Sequence, residues 1–199
     1  PNAAAAGWSR LMGQAEAGAR RLAERAPAEA MAVAVASAAL PAGGALFLSS
    51  SMPIRWAEMY VSELAAGCDV YVNRGANGID GIASTAAGVS IGGGRPLLAV
   101  IGDLAYLHDA GGLRAFRAAA TPAAILLLDN DGGGIFSHLP IAANMPVFEA
   151  LFGTPQGCDL EALSRAAGIG HARAPSLGAI GALAGAVFER GGVQVIQWQ

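Results

Sequence analysis

The stretch Leu97-Leu98-Ala99-Val100-Ile101-Gly102-Asp103-Leu104 decides the fold: five apolar residues in a row, then a small residue and a carboxylate. A strand is expected over Pro96 to Ile101, running into Gly102-Asp103, and its continuous apolar character marks it as buried on both faces. The pattern returns at Ala123-Ala124-Ile125-Leu126-Leu127-Leu128, which opens into Asp129-Asn130-Asp131-Gly132-Gly133-Gly134. A helix from Asp103 to about Ala119 is expected between the two strands, a step that implies parallel neighbours.

Working outward, Ala45 to Leu48, Asp69 to Val72 and Val193 to Trp198 also read as strands. Helices are expected over Ser9 to Arg25, over Glu29 to Leu40, from Pro53 to about Leu64, after the glycine-rich loop Arg74 to Gly81, near Asp159 to Ala167 and from Ser176 to Glu189. Alternating apolar strands and helices predict an α/β fold: a doubly wound, mostly parallel sheet of about six strands with helices on both faces. Such sheets bind ligands at the carboxyl ends of their strands. The first helix carries Leu11, Met12, Ala15 and Leu22 on one side, and Pro27 ends it, so residues 1–27 are expected to be a linker helix from a preceding domain and 28–199 the sheet domain.

The 199 residues include twelve cationic and fifteen acidic side chains, for a net charge of -3, and 54% are apolar. Every cation is arginine, which excludes a lysine Schiff base and a Walker-type phosphate loop. The arginines are scattered, so no basic stripe tracks a nucleic acid backbone. Cys68 and Cys158 stand 90 residues apart and are expected to be ordinary buried thiols. Pro41, Gly43, Gly44 and Ser49-Ser50-Ser51 interrupt the apolar stretch from Met31 to Met52, so neither a membrane span nor a signal peptide is expected.

The unusual residues gather in loops at the strand ends. Asp103 alone is a helix N-cap candidate. Asn130 changes that reading, because it lies 27 residues on, one strand-helix-strand step away, and precedes glycines that expose backbone carbonyls. One carboxylate, one amide oxygen and one carbonyl make an oxygen-only set suited to Mg²⁺, which completes its shell with water and phosphate oxygens. A metal-bridged diphosphate is the expected ligand.

Gly102-Asp103-Leu104, the 27-residue gap and Asp129-Asn130-Asp131-Gly132-Gly133 resemble the diphosphate-anchoring motif of thiamine-diphosphate enzymes, with Leu104 in place of a glycine and Asp129 in place of the first asparagine. Tyr71-Val72-Asn73-Arg74-Gly75-Ala76-Asn77-Gly78-Ile79-Asp80-Gly81 and Asn130 to Pro140 narrow the resemblance to the C-terminal, cofactor-binding part of the 2-succinyl-5-enolpyruvyl-6-hydroxy-3-cyclohexene-1-carboxylate synthase family, from about Ala45 to the C-terminus. The resemblance implies the thiamine-diphosphate-binding fold, with thiamine diphosphate and Mg²⁺ (or Mn²⁺) as cofactors. Asp103, Asn130 and the Gly132 carbonyl would hold the metal. Gly102, Leu104 and Gly133 would border the diphosphate, Ile79 would sit beneath the bent cofactor, and Ile135 and Phe136 would form an apolar wall. Ser51, Arg55 and Arg74 match positions that hold substrate carboxylates, those of 2-oxoglutarate and isochorismate.

The family reaction decarboxylates 2-oxoglutarate and adds the remaining four-carbon unit to isochorismate, a cytoplasmic step of menaquinone biosynthesis. The glutamate that hydrogen-bonds the cofactor's aminopyrimidine belongs to a pyrimidine-binding domain of a partner subunit and matches no residue here. The resemblance therefore implies that this chain is the C-terminal part of a roughly threefold longer homodimer or homotetramer whose pyrimidine-binding and middle domains are absent, and that the chain alone has negligible turnover. The rival readings are the corresponding part of an acetolactate synthase or another 2-oxoacid decarboxylase, and a non-catalytic nucleotide-binding domain.

Single residues keep simpler alternatives. Ser51 is also a good N-cap before Pro53, and Arg55 can be a solvated helix residue. Ile79, Ile135 and Phe136 can be core. His108, His138 and His171 read as structural or surface residues, and Trp8, Trp56 and Trp198 as packing.

Overall fold

A computed structural model describes residues 3–23, 25–73, 78–143 and 147–199. Six parallel strands form one sheet in the order β2-β1-β3-β4-β6-β5: β1 Ala45–Leu48, β2 Asp69–Val72, β3 Leu97–Gly102, β4 Ala123–Leu128, β5 Gly170–Arg173 and β6 Val193–Trp198. The α-helices are α1 Ala3–Ala23, α2 Ala28–Ala38, α3 Met52–Tyr60, α4 Ile82–Gly93, α5 Asp103–His108, α6 Leu160–Ala167 and α7 Leu177–Arg190.

The uninterrupted apolar runs behave as a doubly covered sheet requires, because successive side chains of a strand point to opposite faces. Leu98, Val100, Ala124, Leu126 and Leu128 join one core with α2, α3 and α7, whereas Leu97, Ala99, Ile101, Ile125 and Leu127 join another with α4, α5 and α6. From β1 the chain runs to β2 on one side and later to β3 on the other, so the order reverses at β1 and β3. That switch point opens a crevice beyond the strand ends.

Several expectations are corrected. The helix after Asp103 ends at His108 and continues as a 3-10 helix, Ala110–Ala118. There the chain crosses α4 so closely that a Cβ on Gly112 would lie 2.6 Å from the Ser84 backbone nitrogen, and adjacent Gly111 and Gly112 weaken α-helix. Helix α3 stops at Tyr60, four residues early, where β-branched Val61 turns extended. Strand β5 lacks an apolar run: it is an edge strand paired with β6 alone. Cys68 is half-buried and Cys158 exposed, so neither is a buried thiol. Trp8 is 68% exposed, as are Leu11 and Met12 to similar degrees, so α1 presents an apolar face to solvent, while the Leu22 side chain lies outside the described set. No described helix is long and apolar enough to cross a membrane.

Candidate functional site

A cavity of about 510 Å³ lies at the switch point, bounded by the ends of β1, β2, β3 and β4. Its size falls in the range of small-molecule and cofactor sites. Ser51, Arg55, Ile79, Gly102, Asp103, Leu104, Asn130, Gly132, Gly133, Ile135 and Phe136 all line it. Arg74, with Gly75, Ala76 and Asn77, lies outside the described residues.

Sheet register brings the two motif halves together. Gly102 pairs with Leu128, so Asp103 and the Asp129–Asn130 segment leave adjacent strands at nearly the same height. The Gly132 backbone N–H donates to Asp103 Oδ2 at 2.8 Å, and the Leu104 N–H donates to Oδ1 at 2.7 Å. Asp103 is therefore the first residue of α5 and Gly102 its N-cap. Only 4% of Asp103 is exposed. Burial pushes its carboxyl up to about 6, the two backbone hydrogen bonds oppose that rise, and Asp129 and Asp131 nearby add to it.

The loop after β4 is fixed by close backbone approach. Gly133 N–H donates to Gly153 O at 2.6 Å. A Cβ on Gly132 would lie 2.0 Å from the same oxygen, and one on Gly133 would lie 2.2 Å from Phe152 O. Asp131 Oδ1 accepts from the N–H groups of Gln156 and Gly157. The Phe152 ring stacks on Phe148 and meets Phe136 edge-on. Among the described residues the non-glycines with positive φ are Ser51, Asp131 and Thr154, two of them in this clamp and the third at the cavity rim. Such conformations persist where surrounding structure enforces them, often at functional sites.

Ser51 corrects the capping expectation. It occupies the N-cap position of α3 at φ 78°, but its hydroxyl makes no cap bond, and its carbonyl accepts from Arg55 Nη1 at 2.6 Å. This turns the exposed guanidinium back over the cavity rim.

Sequence reasoning missed Glu29, Gln197 and the neighbours they organise. Glu29 lines the cavity from α2 and accepts from Asn130 Nδ2 at 3.1 Å. Gln197 Nε2 donates to Asp129 Oδ2 at 2.6 Å, and Gln197 Oε1 contacts His171 Nε2 at 2.7 Å. His171 Nδ1 reaches Ser164 Oγ, which reaches the Tyr106 hydroxyl. Burial pushes Tyr106 up to about 12, so its hydroxyl stays protonated. His171 is thus structural, as expected. His138 lies edge-on to buried Trp56, and His108 contacts Asp80. Gln197→Leu is expected to strand the Asp129 and His171 polar atoms and cost about 1–3 kcal/mol, read as a lower urea midpoint with unchanged slope.

The donor set fits a hard cation. Asp103, the Asn130 amide and the Gly132 carbonyl form an oxygen-only set at the cavity, and among the described residues no three His, Cys, Asp or Glu side chains are placed to hold a metal ion. That set is uncharged apart from one carboxylate, and it leaves shell positions for water and phosphate. Gly102 supports the fit: its φ of -78° suits any residue and an added Cβ would meet nothing within 4 Å, so the glycine leaves cavity space open.

No family model matches the chain. It is 50% identical over 125 residues to the 2-succinyl-5-enolpyruvyl-6-hydroxy-3-cyclohexene-1-carboxylate synthase of Chloroflexus aurantiacus, covering 63% of this chain and 21% of that protein. It is 43% identical over 173 residues to the synthase of the same name from Natronomonas pharaonis, covering 87% of this chain and 29% of the relative. The chain resembles the C-terminal, diphosphate-binding part of these synthases. A third such synthase, from Myxococcus xanthus, is 50% identical over 138 residues, 68% of this chain and 23% of its own length. The chain therefore spans less than a third of the length of these synthases. The fold matches benzoylformate decarboxylase from Polynucleobacter necessarius with a TM-score of 0.68 at 18% identity, over 83% of this chain and 32% of that one. The sheet domain thus shares the fold of the corresponding part of that decarboxylase.

Proposed function

We propose that residues 28–199 are the diphosphate- and metal-binding domain of a 2-succinyl-5-enolpyruvyl-6-hydroxy-3-cyclohexene-1-carboxylate synthase. In this reading residues 1–27 lead in from a middle domain, and a pyrimidine-binding domain completes the site in a cytoplasmic homodimer or homotetramer. The observation that carries the reading is the Gly132-to-Asp103 hydrogen bond, which joins the two motif halves across 29 residues beside a cofactor-sized cavity. The identities of 43% to 50% to named synthases support the substrate assignment.

Asp103 Oδ atoms, the Asn130 amide oxygen and the Gly132 carbonyl would hold Mg²⁺ or Mn²⁺ against the cofactor's diphosphate. Bound thiamine diphosphate supplies the electron sink for decarboxylating a 2-oxoacid. Ile79, Ile135 and Phe136 provide the apolar surface that keeps water from the reacting carbon. Arg55, together with Arg74, would grip the carboxylates of 2-oxoglutarate and isochorismate, and Ser51 would add a hydroxyl donor. Exposed Phe136 on the cavity lining, Leu139, Ile141, Val147 and Leu151 further along the same segment, and Trp8, Leu11 and Met12 on α1, suit contact with the remaining domains.

The test is substrate profiling of the complete polypeptide that carries this chain. Consumption of isochorismate dependent on 2-oxoglutarate is expected, with Arg55→Ala raising KM for one of the two acids at least tenfold. Turnover of pyruvate to acetolactate instead would move the assignment to that class. The 199-residue chain alone is expected to form no product.

A further inference from the structure

We propose that Glu29 is a positioning residue for the cation site, acting through Asn130; the assignment rests on the functional reading above. An asparagine amide presents two ends of nearly equal shape, and its hydrogen-bond partners decide which end faces a ligand. A carboxylate only accepts, so Glu29 Oε1, 3.1 Å from Asn130 Nδ2, selects the amine end and leaves Oδ1 as the end available to a cation. The other carboxylate oxygen is also engaged: Oε2 accepts from Trp56 Nε1 at 3.2 Å. Trp56 is 5% exposed and its indole N–H is a donor only, so this contact satisfies a buried group and locks the carboxylate plane. One side chain from the first turn of α2 thereby ties α3 to the loop after β4, and it lines the cavity itself. A charged acceptor on Nδ2 also draws electron density toward Oδ1 and strengthens it as a cation ligand.

The sequence motif contains nothing of this, since Glu29 stands 101 residues before Asn130. The test is Mn²⁺ affinity, read by electron paramagnetic resonance in the presence of thiamine diphosphate, on the complete polypeptide. Glu29→Ala is expected to weaken Mn²⁺ about 10–100-fold, as loss of groups that orient metal ligands does. Glu29→Gln keeps one acceptor for two donors and should fall between. Trp56→Phe removes the indole donor that fixes the carboxylate plane and should weaken Mn²⁺ by less than Glu29→Ala does, since the Glu29 contact to Asn130 remains. In an Asn130→Ala background, Glu29→Ala should cause no further loss.

Equal Mn²⁺ affinity in wild type and Glu29→Ala overturns the proposal and leaves the functional reading intact. The same loss with and without Asn130 also overturns it, because the effect would then be structural. A wild-type polypeptide that binds no Mn²⁺ with thiamine diphosphate overturns the functional reading and this assignment together.

Discussion

Asp103→Asn is expected to abolish the chain's response to metal with thiamine diphosphate and to remove the pH dependence of stability that this carboxylate contributes between about pH 4 and 6. The carboxylate is 4% exposed, and burial raises it from 3.8 to about 6 despite two backbone donors. Between those values the folded state holds the proton more tightly than the unfolded state does, so this group's contribution to stability falls as pH rises through that window. Above about pH 6 the penalty is fully present, on the order of 1–3 kcal/mol; Asn removes the charge and its pH dependence but also loses one of the two acceptors that hold the Leu104 and Gly132 N–H groups. The wild-type melting temperature should therefore gain relative to the mutant as pH drops from 7 toward 4. A bound cation removes the same penalty by pairing with the charge, so metal affinity should weaken as pH falls through about 6. Wild-type and Asp103→Asn melting temperatures that move in parallel between pH 7 and 4 would contradict the charge-frustrated reading of this site.

Gly132→Ala should damage both stability and binding. Its Cβ would sit 2.0 Å from the Gly153 carbonyl oxygen, and the obstacle is backbone, so either the loop after β4 or the 149–153 turn must move. Gly132 also holds φ at +151°. Overpacking and backbone strain together are expected to cost on the order of 2–4 kcal/mol, a fall of roughly 5–15 °C in Tm for a chain this long. Because the Gly132 N–H anchors Asp103 Oδ2, the shift would propagate to the carboxylate. Calorimetric melts of Gly132→Ala and Gly102→Ala side by side make the comparison sharp. At Gly102 the added methyl meets only cavity space, so the ligand-free chain should tolerate it.

The two central strands were legible because β3 and β4 are buried on both faces and so are written as unbroken apolar runs. Their ends were legible for the same reason, and Asp103, Asn130 and the glycines follow directly. Strand β5 was not: Gly170-His171-Ala172-Arg173 sits at an edge, and no alternation or run marks it. The break between α5 and the 3-10 helix depends on how closely Gly112 approaches Ser84, a tertiary contact with no local signature beyond paired glycines. The supports of the site were hidden by sequence distance. Glu29 meets Asn130 across 101 residues and Gln197 meets Asp129 across 68, so neither pairing leaves a local pattern. Asp129, which departs from the asparagine of the motif, acquires its explanation only from Gln197. Ser51 reads by residue type both as a cap and as a substrate-carboxylate residue, whereas its positive φ and the missing cap bond are visible only in the fold.

The central claim is a metal-dependent diphosphate site at the ends of β3 and β4. It is tested most directly by melting the chain with Mn²⁺, with thiamine diphosphate and with both, beside Asp103→Ala. A ligand at ~100 times its Kd that binds only the native state adds about 2.7 kcal/mol, a shift of several degrees here. The account predicts that shift only when both components are present, and its loss in the mutant. Stabilisation by thiamine diphosphate that is indifferent to Mn²⁺, or that survives Asp103→Ala, would contradict it.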